Sequence, residues 1–406
     1  MNPTRFAMLL SAALASGALA AGAQQSIPVR PLGAVVSKST ETFGVLFGVR
    51  GVGGGRVLVN DFARRRLVLL DSAMKIASVV ADTVPGTPTA YGPRGSGIVP
   101  YFGDTTLFVD AGSQSLLVLN ASGAVVKVMA PPKAADIFML MSSAFGMAGV
   151  DAKGRLIYRS NFRILPMQIG SNVAPPQPPD SAPLVRASFE TRSVDTIAIV
   201  KIPRPGRIRP NTSGGPSPGT AVINPLPFGD EFVVMSDGSI AIVRAQDYHI
   251  DWIDTDGTTR TSPKMPFEWR RLTDEQKQFY ADSALNSFRK MFDSVMAIQA
   301  QQPLPPGIQR PVPPQLEAAP LSEIPDYLSP IGAVRPDPEG NLWILPTASS
   351  QLRPGKVYDV INKKGEIFER VELPPGRMLE GFGPNGVVYL SVKEGTQTFL
   401  ERARIR

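Results

Sequence analysis

The stretch Val59-Asn60-Asp61-Phe62-Ala63-Arg64-Arg65-Arg66-Leu67-Val68-Leu69-Leu70-Asp71 decides the fold. One β-rich run closes on Asp61, a short basic turn follows, and a second apolar run closes on Asp71. A glycine turn, Gly53-Gly54-Gly55, stands just ahead of it. The unit returns as Phe108-Val109-Asp110-Ala111-Gly112, running on to Leu116-Leu117-Val118-Leu119-Asn120. Weaker copies carry Asp151-Ala152-Lys153-Gly154, Ser236-Asp237-Gly238, Asp337-Pro338-Glu339-Gly340-Asn341 and Gly383-Pro384-Asn385-Gly386 at their first turns.

A period of roughly 45–50 residues with short Gly turns is that of a propeller blade, a four-stranded antiparallel meander whose inner strand lines the axis. Six such units fit between Phe43 and Ile405, and the last is one strand short. The segment Pro28–Val36 can supply that strand beside the C-terminal one, which would hide two sheet edges. The chain is therefore predicted to be all-β, a six-bladed β-propeller closed by its N-terminal strand. Residues 24–406 would form it.

Val59, Asp61, Arg66, Leu67, Leu69, Leu70 and Asp71 match the repeat of NHL-type six-bladed propellers, which this chain resembles. The other units keep the apolar pattern without the Arg. The resemblance implies the fold and leaves function open, because such rings host binding modules and enzymes alike.

Residues 1–23 read as an export signal: Arg5, the apolar run Phe6–Ala20, then Ala21-Gly22-Ala23 before Gln24. The run is too short to span a bilayer, where about 20 residues are needed, and no membrane span is expected. The absence of cysteine from 406 residues removes thiol chemistry and Cys-based metal sites. A periplasmic or secreted bacterial protein is expected. The formal charge of +7 favours acidic partners. With no basic block longer than Arg64-Arg65-Arg66, nucleic acid is not an expected partner.

Four insertions break the repeat: Asn161–Pro183, Pro203–Thr220, Pro266–Pro325 and Thr347–Lys356. In an up-and-down meander all four emerge on one face. Loops on a rigid scaffold are where binding concentrates. In the largest insertion (266–325), Thr273 and Gln276 form a capping box. Phe279, Tyr280, Ala284, Phe288, Met291, Phe292, Val295 and Met296 then recur at helical spacing, an apolar face expected to pack on the propeller. From Gln302 to Pro325 the chain reads as an extended Pro-rich tether.

Arg64, Arg66, Arg204, Arg207, Arg209, Arg270, Arg271 and Arg353 map to the built-up face, as does the lone histidine, His249. They are the candidate ligand-binding residues for a protein, glycan or anionic ligand. The leading expectation is a non-catalytic binding module with no cofactor. The alternative is a metal-assisted hydrolase or lactonase. Propeller lactonases hold a divalent cation at the channel mouth with Glu, Asn and Asp side chains. By position near the tops of the inner strands of units one, four and six, Glu41, Asn224 and Glu380 are the candidate ligands for Ca²⁺, a hard cation suited to oxygen donors.

Overall fold

The computed structural model describes residues 27–405 except 85–89, 93–95, 142–145, 161–178, 205, 211–218, 301–313 and 348–354. Residues 1–23, expected to be an export signal, most of the insertion after Asn161 and the candidate Arg353 lie outside the described residues. No described helix is long and apolar enough to cross a membrane.

Two short strands, β1 (Val29–Pro31) and β2 (Val35–Lys38), lead into sheet one: β3 (Leu46–Val52), β4 (Arg56–Asp61), β5 (Arg66–Leu70) and β6 (Ile76–Ala81). Sheet two holds β7 (Ser96–Pro100), β8 (Thr106–Asp110), β9 (Ser115–Leu119) and β10 (Val125–Met129). Sheet three holds β11 (Gly149–Val150), β12 (Leu156–Arg159), β13 (Ser181–Ala187) and β14 (Val194–Lys201). After β15 (Gly206–Pro210) and β16 (Gly219–Ile223) comes sheet four, of β17 (Glu231–Val234), β18 (Ile240–Arg244), β19 (His249–Ile253) and β20 (Thr259–Thr261). Helix α1 (Asp274–Ala300) and β21 (Gln315–Ala318) precede sheet five: β22 (Ala333–Pro336), β23 (Leu342–Leu345), β24 (Val357–Ile361) and β25 (Ile367–Glu372). Sheet six has β26 (Arg377–Gly383), β27 (Val387–Glu394) and β28 (Gln397–Arg404), with β2 as its outer strand.

The middle strands are buried on both sides because each sheet is sandwiched between two others. In sheet one, Leu58, Leu67 and Leu69 pack with Tyr91, Phe108 and Leu117 of the second unit. The alternate residues Val57, Val59, Val68 and Leu70 pack with Tyr389 and Leu400 of sheet six. A period of two thus sends successive side chains into two different interfaces. The first strands β3, β7, β11, β17 and β22 lie side by side in succession, and β26 returns to β3. Sheets five and six meet through side chains, with the rings of Trp343 and Phe382 5.2 Å apart. This is the arrangement of a β-propeller.

The inner strands crowd each other closely. A Cβ on Gly51 would lie 2.7 Å from Gly383 Cα, and one on Gly381 would collide with the Val49 carbonyl oxygen. Gly381→Ala is therefore expected to cost about 1–3 kcal/mol by overpacking, read as a lower urea midpoint at unchanged slope.

The N-terminal segment divides its work. Val35 pairs with Ala403 and Lys38 with Glu401, antiparallel to β28. Val29–Pro31 instead runs parallel to β25 as a fifth strand on sheet five. The sequence reading placed all of Pro28–Val36 beside the C-terminal strand. The chain crosses between the two sheets because Leu32 is buried among Trp343, Leu345, Leu379 and Phe382 at their junction.

The larger correction concerns the insertions. Those after β14 and after β20 meet in one three-stranded sheet, β15-β16-β21, antiparallel at the hairpin and parallel between β16 and β21. The expected tether after Gln302 therefore contains a paired strand. Thr273 and Gln276 form the capping box, each backbone N–H donating to the other's side chain at 3.0 and 3.2 Å. Among the described side chains, Ala281 of the helix packs with Val222, Ala319 and Ile324 of the cap; Met291, Val295 and Met296 lie outside them. Phe279, expected on the packing face, is 69% exposed. The packed face runs through Lys277 and Ala281, a helical step of four that leaves Phe279 pointing away.

Candidate functional site

Asp230 fixes the chain where it enters β17. Its carboxylate accepts from Lys201 N–H at 3.0 Å, Ala245 N–H at 3.2 Å and Arg244 Nη1 at 2.8 Å. Its own N–H donates to Lys201 O at 2.8 Å. Glu231, the next residue, is thereby held at the head of an innermost strand. Along that strand Phe232 packs toward sheet three and Val233 toward sheet five.

Three further charged side chains are coupled electrostatically to Glu231 or to one another. Arg159 ends β12 and is buried. Arg335 lies on β22, and its Nη1 reaches Met147 Sδ, ahead of β11, at 3.6 Å. The guanidinium thus crosses from sheet five past sheet four toward sheet three. Glu380 lies on β26, where its Oε1 accepts from Ser391 Oγ at 2.5 Å.

Burial pushes the Glu231 carboxyl up to about 7, although Arg159 and Arg335 pull it the other way. Burial also raises Glu380, opposed by the Ser391 hydrogen bond and by Arg335. Burial lowers Arg159, with Glu231 partly restoring it. Among the described residues neither Glu231 nor Glu380 forms an ion pair within 4.0 Å. A carboxyl that is half protonated near neutrality can both accept and return a proton. Cations close by can offset negative charge that develops in a reaction. Perturbed acids of this kind gather at functional sites.

Most of the arginines singled out in the sequence are committed to the protein itself. Arg64 donates to the Thr42 carbonyl and, at 2.8 Å, to Thr42 Oγ1. Arg66 binds buried Asp61 at 3.3 Å and Thr42 O at 3.1 Å. Arg207 pairs with Glu323 at 2.7 Å, Arg209 with Glu317, and Arg271 with Asp326 at 3.2 Å. These exposed pairs tie the cap together and each adds little stability. Arg270 lies exposed just before α1. Arg204 donates to Pro179 O at 3.3 Å and lines a cleft of about 190 Å³ with Lys201, Asn224 and Phe228.

His249 is held between two carboxylates, Nδ1 to Asp247 at 2.7 Å and Nε2 to Asp251 at 3.4 Å. Asp251 in turn binds Arg244 at 2.7 Å, so the histidine belongs to the network that pins Asp230. The three residues implied for Ca²⁺ have separate surroundings. Glu41 is half exposed and 4.0 Å from Arg66. Asn224 accepts from Leu226 N–H at 3.1 Å, and Glu380 faces Ser391 and Arg335. None of these contacts joins one of the three to another. Among the described residues no group of three or more His, Cys, Asp or Glu is placed to hold a metal ion.

Of the central residues the sequence reading found only Glu380. Glu231, Arg335 and Arg159 carried one usable signal, a charge set within or at the end of a strand otherwise apolar on both sides.

No family model and no curated protein matches the chain. Solved structures similar to it include virginiamycin B lyase from Staphylococcus aureus, at 10% identity over 92% of this chain and 99% of that one, TM-score 0.39. Another is a gluconolactonase from Xanthomonas campestris, at 10% identity over 92% and 99%, TM-score 0.39. A third is a calcium-binding regucalcin from Agrobacterium tumefaciens, at 10% identity over 93% and 97%, TM-score 0.39. No residue role is carried over from them.

Proposed function

We propose that the chain is an exported six-bladed propeller, closed by β2 against β28, whose centre performs acid–base chemistry on a carbonyl substrate. The observation that carries this is Glu231, fixed by Asp230 beside Arg159 and Arg335 with its carboxyl poised near neutrality. Export rests on the signal reading of residues 1–23. The binding-module reading is the weaker one, since Arg64, Arg66, Arg207, Arg209 and Arg271 already have partners within the protein.

In hydrolysis of an ester or lactone, Glu231 takes a proton from water as the water oxygen bonds to the carbonyl carbon. It returns that proton to the leaving oxygen as the carbon–oxygen bond breaks. The arginines offset the charge that builds on the carbonyl oxygen between the two steps. The chemistry assigned here needs no metal.

The test is a hydrolysis screen of the chain from Gln24 on esters and lactones, with and without a carboxylate group. At least one class should turn over with a pH limb near 7. Absence of turnover, or equal turnover in Glu231→Gln, would sink the proposal.

A further inference from the structure

Arg335 is the least committed cation at the centre. Its Nη1 donates to Val334 O at 3.3 Å and approaches Met147 Sδ at 3.6 Å. Among the described residues, Nε and Nη2 have no acceptor and Arg335 forms no ion pair within 4.0 Å. These nitrogens are not sealed in the core either, since they are absent from the buried atoms that lack a partner. The uncommitted Nε–Nη2 edge is the planar fork that matches a carboxylate with two parallel hydrogen bonds.

The surroundings limit the anion. The charged and titratable groups that couple to Arg335 are Glu231 from sheet four, Glu380 from sheet six and Tyr358 from sheet five. Asp230 and Arg159 adjoin Glu231. Two acidic side chains, Glu231 and Glu380, thus couple to one guanidinium whose Nε–Nη2 edge is uncommitted. An incoming anion meets less repulsion when those acids are protonated, and a single negative charge is tolerated better than two.

We infer that Arg335 anchors the carboxylate of a monocarboxylate substrate, gripping it by two hydrogen bonds from Nε and Nη2 at the centre of the ring. This deepens the acid–base reading and rests on it, because it names the class of molecule presented to Glu231. Binding of the anion is then coupled to proton uptake by the flanking acids, so affinity falls as the pH rises through neutrality.

The experiment is titration calorimetry of the chain from Gln24 with lactate and benzoate, at pH 6 and pH 8 and low salt, with phosphate as the comparison. Both monocarboxylates should bind about tenfold more tightly at pH 6, with proton uptake seen as a dependence on buffer ionisation enthalpy. Phosphate should bind more weakly than either. Arg335→Gln should lose at least about tenfold in affinity. Arg335→Lys, which keeps the charge without the fork, should lose several-fold and guards against misfolding of the Gln variant. Glu231→Gln should still bind, with a flatter pH response.

No binding of either carboxylate to the wild type, unaltered binding in both Arg335 variants, or tighter binding of phosphate would each overturn the inference. Arg335-dependent binding without turnover of any ester or lactone would instead sink the acid–base reading. Turnover lost in Glu231→Gln, with binding indifferent to Arg335, would do the reverse.

Discussion

Glu231→Gln is expected to lower turnover at least ~100-fold while making the folded protein more stable at pH 8. The two effects share a cause. Burial lifts the carboxyl from 4.5 to about 7 in the folded state. An acid lifted in this way binds its proton more tightly folded than unfolded. Its contribution to stability is complete below about pH 4.5 and is lost as the pH rises to about 7. Above that, the ionised carboxylate costs about 2 kcal/mol once its contact with solvent is allowed for. Gln has the same shape and cannot ionise, so at pH 8 it escapes that cost. At pH 4.5 the variant and wild type should melt alike; at pH 8 the variant should melt a few degrees higher. Thermal melts across this range check the sign. A variant less stable at pH 8 would show that Glu231 is needed as a counter-ion for Arg159 and Arg335, not held as a strained acid.

Deletion of residues 27–38 is expected to cost on the order of 5 kcal/mol, the sum of several lost hydrogen bonds and one buried leucine. The deletion removes the pairing of Val35 and Lys38 with β28 and takes Leu32 from between sheets five and six. It leaves β28 as a bare edge over buried Leu400 and Ala403. Such an edge pairs readily with another copy of the chain. Melting should begin about 10 °C or more below the full chain, and size-exclusion chromatography should show larger species. A deleted chain that stays monomeric with an unchanged Tm would refute closure of the ring by this strand.

The arrangement of sheets was legible because it is written locally. Val57, Val59, Val68 and Leu70 alternate with Leu58, Leu67 and Leu69 at a period of two, and that period alone assigns each strand two packed faces. Thr273 and Gln276 likewise announced the helix start through a contact three residues long. Phe279 was misassigned because the face a helix buries depends on what lies beside it, and its neighbour is a sheet that pairs Thr220 with Gln315, far apart in the sequence.

The sequence by itself determined an all-β chain of repeated four-stranded units, with its elaborations drawn from one class of loop. Only the tertiary structure decided which of its charged residues come together and which are tied up in pairs. Arg64, Arg66, Arg207 and Arg209 looked available as a linear list and proved to be bound to Thr42, Asp61, Glu323 and Glu317. Arg159, Glu231, Arg335 and Glu380 look ordinary apart, each a lone charge in its own strand. The folded chain brings them within electrostatic reach of one another, and burial raises the carboxyls of Glu231 and Glu380, a proton affinity that no single strand reveals.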